Sequence, residues 1–153
     1  MKISLAGEIQ RLKTTPLFHT LKEEELKIIA LTTENIIYEP GEVILKEGEE
    51  GGEAYIILTG SVEVFRKTDA GELMRLNKMG PGGMFGEMAL FGNGLRTASV
   101  EAVEETLVSV ISKEKLYEII RAFPDVGIEM LKAITERFAR VENRLMRSIP
   151  HEG

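Results

Sequence analysis

Cysteine is absent from the chain, so no disulfide framework, thiolate metal site or cysteine nucleophile can form. Without that mark of an oxidising compartment, the cytoplasm is the default setting. Long hydrophobic runs are missing too. The opening MKISLAGEIQRL interrupts its apolar residues with Glu8, Gln10 and Arg11, which suits neither a signal peptide nor a membrane span. Basic charge is in deficit, with 19 Lys and Arg against 25 Asp and Glu and a net charge of −6. A phosphate backbone needs a basic patch to release its counterions, so the balance argues against broad charge-driven nucleic-acid binding, and any anionic ligand must be held by local chemistry. Histidine occurs only as His19 and His151, neither in an expected strand nor in an Asp-Glu-His cluster. That scarcity argues against a metal-dependent enzyme built on a double-sheet roll, and no serine or threonine has an obvious partner base for nucleophilic catalysis. The expectation is a protein that is not an enzyme and carries no cofactor or metal.

The 153 residues, 43% apolar and 29% charged, suffice for one folded domain with a core of ordinary size. Glycine is uneven: 12 of 15 fall between Gly41 and Gly94. In that middle stretch, runs at 35–38, 43–45, 54–58, 61–66, 73–79, 97–102 and 106–111 read as strands. Turn chemistry separates them at Pro40-Gly41, Gly51-Gly52, Thr59-Gly60, Asp69-Ala70-Gly71 and Gly80-Pro81-Gly82-Gly83. Short strands at this spacing favour a barrel, sandwich or double-sheet roll over a parallel α/β sheet.

Helices flank the strands. The first spans roughly 5–13 with Leu5, Ile9 and Leu12 on one face. A second starts at Thr20, which has capping-box spacing to Glu23, and runs to about Leu31 with Leu26, Ile29 and Ala30 inward. A third follows Ser112 as N-cap, and a fourth runs from Pro124 to about Arg147, with Ser148, Pro150 and Gly153 finishing the chain. In the fourth, Leu131, Ile134, Phe138, Val141 and Leu145 recur at alternating spacings of 3 and 4. Such a stripe either packs on its own domain or forms the seam of a homodimer. Arg137 and Arg144 on one flank, with Arg140 and Arg147 on the other, suit the second reading. The division is therefore a single domain over 1–153, with N-terminal helices at 1–33, the strands at 34–112 and C-terminal helices at 113–147.

Chemistry concentrates in 84–100, MFGEMALFGNGLRTASV, where a glycine, a carboxylate and an arginine interrupt an apolar run. Met88 to Phe91 reads as one helical turn whose leading N–H groups point outward as donors, and Gly86 permits close approach. Arg96 follows across a loop holding Gly92 and Gly94, and its planar guanidinium suits phosphate oxygens. Glu87 accepts only, which fits a sugar hydroxyl. A phosphate donor set beside a sugar acceptor describes a nucleotide. The plainer alternative is a Glu87–Arg96 salt bridge joining two parts of the loop.

The run Phe85-Gly86-Glu87-Met88-Ala89-Leu90, followed by Arg96-Thr97-Ala98-Ser99-Val100, resembles the phosphate-binding cassette of the cyclic nucleotide-binding domain family. That family includes members of the catabolite activator protein, kinase regulatory subunit and cyclic-nucleotide-gated channel type. The run ILKEGEEGGEAYIILTGSVEV at 44–64 is similar to its roll region, and the likeness covers about residues 16–147. The resemblance implies a mainly β fold with flanking helices, a double-sheet β-roll of jelly-roll, cupin-like form closed by a long C-terminal helix. It implies that Arg96 binds the cyclic phosphate and Glu87 the ribose 2′-OH, with the backbone of Gly86, Met88 and Ala89 adding donors. Phe85, Thr97 and Ala98 complete the expected ligand-binding set. Thr97 leaves cGMP open beside cAMP, because threonine here can contact a syn guanine yet also occurs in domains that prefer cAMP. By similarity the last helix closes over the base as a lid, with Arg137, Arg140 or Arg144 stacking and Ile134 or Phe138 packing beside it. Only SIPHEG follows Arg147, too little for a DNA-reading helix-turn-helix, so no DNA binding by this chain is expected. The expected function is a cyclic-nucleotide sensor with a mobile C-terminal helix. The alternative is an interaction or dimerisation module of the same fold that no longer binds nucleotide.

Overall fold

The computed structural model describes residues 3–148; Pro150, His151 and Gly153, expected after the last helix, lie outside the described residues. Helix α1 (Leu5–Lys13) starts where the Ser4 hydroxyl accepts the Gly7 N–H at 3.0 Å, an N-cap. Ile9 and Leu12 are buried as their spacing predicts, but Leu5 faces solvent and Glu8 is buried in its stead. Burial of that carboxylate is tolerable because Thr33 and Ser109 each donate a hydroxyl to it at 3.0 Å.

Helix α2 (Glu23–Thr32) departs from expectation at its start. The Thr20–Glu23 box does not form; instead the Lys22 N–H donates to the Glu25 carboxylate at 2.9 Å. The cause is hydrophobic anchoring, since Leu17, Phe18 and Leu21 are all buried and hold residues 14–21 as an irregular turn. Leu26, Ile29 and Ala30 then point inward as the periodicity requires.

Eight strands follow: β1 (Glu34–Tyr38), β2 (Val43–Leu45), β3 (Glu53–Thr59), β4 (Val62–Lys67), β5 (Leu73–Met79), β6 (Met84–Phe85), β7 (Ser99–Ala102) and β8 (Thr106–Ser112). They form two four-stranded antiparallel sheets, ordered β1-β8-β3-β6 and β2-β7-β4-β5, which is the double-sheet β-roll. Two strand expectations need correction. β6 lies inside the expected cassette and pairs Phe85 with Tyr55 and Met84 with Ile56. β7 begins only at Ser99, so Thr97 and Ala98 are irregular backbone.

Strand β3 explains how one sheet serves two cores. Its apolar run does not alternate with polar residues because both faces are covered. Ala54 and Ile56 join the helices' core, while Tyr55 and Ile57 join the space between the sheets with Leu45, Val62, Phe85, Val100 and Val108.

Four-residue helix α3 (Met88–Phe91) follows β6. Helix α4 (Lys113–Ala122) opens on Ser112, whose hydroxyl accepts the Lys115 N–H at 3.1 Å, as expected of that N-cap. After Phe123 alone, α5 (Pro124–Ser148) runs on. Val126, Met130 and Ala133 bury its first half, whereas 135–147 are exposed throughout. Of the five-residue stripe only Ile134 packs against the core; Leu131, Phe138, Val141 and Leu145 remain exposed. The stripe therefore does not pack as a whole on its own domain. Among the described residues no helix is long and apolar enough to cross a membrane.

Candidate functional site

The site is assembled from the ends of strands whose order brings distant loops together. Arg96 is held first by its main chain: its N–H donates to Glu49 O at 2.8 Å and its carbonyl accepts the Gly48 N–H at 2.9 Å. Its side chain is 6% exposed, although it carries a permanent charge. Nη1 donates to Gly86 O at 3.3 Å and Nη2 to Glu53 O at 3.0 Å, with the Glu53 carboxylate 3.7 Å from Nη2. Two backbone carbonyls and a half-exposed carboxylate orient the fork while further N–H donors remain for an anion.

Two glycines make room for it. Gly86 has φ +75°, a conformation that side-chain-bearing residues rarely adopt, and a Cβ there would lie 2.9 Å from Arg96 Nη1. A Cβ on Gly51 would fall on Nη2 and lie 3.0 Å from Cζ.

Glu87, half-buried, accepts from Arg137 Nη1 at 3.2 Å, so helix α5 reaches back to the cassette. The Glu87–Arg96 salt bridge weighed from the sequence does not form, because each residue has its own partner. In α3 the Ala89 N–H donates to Gly86 O at 3.1 Å, so that amide closes the turn and is not a free donor as expected. Tyr55 stacks on Phe85 with ring centroids 5.1 Å apart, and burial first, then neighbouring Tyr38 and Glu53, raises its hydroxyl pKa. The phenol thus stays neutral.

All eight residues expected in the ligand set, Phe85 to Ala89 and Arg96 to Ala98, line one cavity of about 410 Å³. Arg137 lines it as well. A second cavity of about 410 Å³, walled mainly by Leu17, Met88, Phe91, Ile134, Phe138 and Val141, shares Glu87, Met88 and Arg137 with the first. Arg140 and Arg144, also considered for the lid, line neither cavity and are exposed on the second half of α5. Thr14, Pro16, Asn77 and Met79 line the first cavity without having been expected there. Alternation along β5 puts Asn77 and Met79 on one face and was the available signal; nothing local marks Thr14 or Pro16. Among the described residues no group of three or more His, Asp or Glu could hold a metal ion.

Comparison with known proteins points the same way. The cyclic AMP receptor protein of Thermus thermophilus is 32% identical over 134 residues, covering 88% of this chain and 62% of the receptor. A Drosophila melanogaster cGMP-dependent protein kinase is 32% identical over 152 residues, covering 93% of this chain and 16% of the kinase. The crystal structure of the Thermus thermophilus catabolite activator protein matches with a TM-score of 0.75 at 32% identity, over 86% of this chain and 62% of that one. The chain thus spans less than two thirds of the bacterial receptor it matches. The family model of the cyclic nucleotide-binding domain matches residues 36–123, more than half of the chain, and the chain belongs to that family.

Proposed function

We propose that this chain is a cyclic-nucleotide sensor module: it binds cAMP or cGMP in the first cavity and signals through movement of α5. The observation that carries the reading is the Arg96 side chain, 6% exposed and held by two carbonyls at the wall of a cavity of about 410 Å³. Burying a guanidinium costs several kcal/mol unless its charge is matched, and Glu53, half-exposed at 3.7 Å, matches it only in part. A cyclic phosphate completes the match. Glu87 accepts the ribose 2′-OH, and Met88 and Gly86 line the same wall. Thr97, exposed beside Arg96, faces the base. The relatives' names include both a cyclic AMP receptor and a cGMP-dependent kinase, so they favour neither base.

Of the lid candidates, Arg137 is the one that lines the cavity and already pairs with Glu87. Ligand binding at Glu87 therefore acts directly on α5, and it shifts the lid by its differential affinity for the closed form, typically about 1 to 3 kcal/mol. The module binds and transmits, and its output passes to a partner. A homodimer seam on the exposed residues Leu131, Phe138, Val141 and Leu145 is one such output, with Ile134 at its inner edge.

Calorimetric titration of the purified chain, stripped of carried-over ligand, with cAMP and then cGMP tests the reading. Saturable one-per-chain binding is expected, weakened in Arg96→Ala by about 2 to 5 kcal/mol, roughly 30- to several-thousand-fold. The same variant loses thermal stability, because the Gly86 and Glu53 carbonyls lose their donor. No heat and no thermal shift with either nucleotide overturns the sensor and favours the interaction module of the same fold.

A further inference from the structure

Helix α3 has four residues and closes with the Gly92 N–H on Met88 O at 2.7 Å, so it cannot hold its own position. Its carbonyls near the C-terminal end need partners from elsewhere. Tyr117, on α4 and 27 residues away, supplies one: its hydroxyl donates to Leu90 O at 2.6 Å. The ring is half-buried, with the Lys113 ammonium 5.7 Å from its centroid one turn earlier on the same helix. On the inward face of α4, Leu116 and Ile119 are buried in the core shared with α5. Only Phe123 separates α4 from α5, so a displacement of α4 is handed to α5 with little slack. Leu90 itself is buried in the same core as Leu116 and Ile119, and apolar packing of that kind resists separation but tolerates sliding. A short hydroxyl–carbonyl bond is directional and fixes register.

We infer that Tyr117 is a positioning residue whose hydroxyl makes α3 and α4 move as one, carrying ligand capture in the cavity to α5. The inference rests on the cyclic-nucleotide reading of the site. It gives α5 a second tie to the cassette beside the Arg137–Glu87 pair, whose arginine is half-exposed and so contributes little alone.

Hydrogen exchange along α4 and α5, with and without saturating cAMP or cGMP, tests it on the full chain. In the wild type, ligand is expected to change exchange across both helices. Tyr117→Phe keeps the ring, should bind about 3- to 10-fold more weakly, as for one lost neutral hydrogen bond, and should lose more than about half of the ligand-dependent change. Ile120→Val trims the same helix where it packs on the core but keeps the hydroxyl, and should retain the full change. Tyr117→Phe transmitting as strongly as the wild type overturns the tether while leaving the sensor intact. Equal loss in Ile120→Val also overturns it, because generic loosening of α4 then suffices. A wild type that binds but shows no change in α5 does the same. A wild type that binds neither nucleotide removes the sensor reading itself, and the tether with it.

Discussion

At the scale of single residues the site depends on what glycine leaves vacant. Gly51 has no positive φ, so alanine fits its backbone, yet the added methyl would occupy the place of Arg96 Nη2. Adjacent Gly52 would add a Cβ with nothing within 4 Å. Gly51→Ala is therefore expected to fold and to bind cyclic nucleotide about 10-fold or more weakly, about 1.4 kcal/mol, while Gly52→Ala binds as the wild type does. Calorimetric titration of both variants beside thermal melts checks the pair; equal affinities would mean that Arg96 yields without functional loss. The expected ligand-set residues were legible because a charged fork and a carboxylate interrupt an apolar run, and the resemblance to a phosphate-binding cassette favoured a ligand over a Glu87–Arg96 salt bridge. The partners that hold Arg96 were not legible. Gly86 O and Glu53 O are backbone acceptors, which every residue type presents alike.

Elements carry the next level of control, and α5 is docked by more than apolar contact. Thr20 and Lys132 donate to Glu129, and His19 lies 3.7 Å from Glu136, so the turn at 14–21 grips the first half of α5. The Thr20 hydroxyl first, then Lys132, holds the Glu129 carboxyl below its ordinary pKa. A carboxyl whose folded pKa is depressed contributes stability above its unfolded value, and that contribution is lost as pH falls through the folded one. The thermal midpoint of Glu129→Gln should therefore lie below that of the wild type at neutral pH. The gap should close on acidification below the ordinary glutamate value of about 4.3. A gap that does not change with pH would show that the carboxylate charge has no part in docking α5. Most element boundaries followed from periodicity and caps, as at Ser112 and in the inward stripe of α2. The exceptions have tertiary causes. Buried Leu21 displaced the start of α2, and a partner in β3 turned Met84 and Phe85 into strand β6.

For the molecule as a whole, the unbalanced feature is the second half of α5. Phe138 is 69% exposed and Leu145 62%. Exposed apolar residues at heptad spacing suit the seam of a two-helix contact, which is the homodimer proposed above. Phe138→Glu should leave the fold unaltered and convert a dimer to a monomer in sedimentation. An unchanged mass would exclude this face as the seam.

The division between sequence and structure follows from range. Turn residues, strand runs, helix caps and the cassette depend on neighbours within a few positions, so the amino-acid sequence by itself determined the short strands, their flanking helices and the eight expected residues that line the cavity, while the choice of a roll among barrel, sandwich and roll came from the family resemblance. The pairing of Glu87 with Arg137, 50 residues away, the burial of Arg96 and which of three arginines lines the cavity were decided only by tertiary structure. On a helix surface Arg137, Arg140 and Arg144 are chemically equivalent. What separates them is which face of α5 is turned to the cavity, and that is set by the packing of Val126, Met130 and Ala133 on the core.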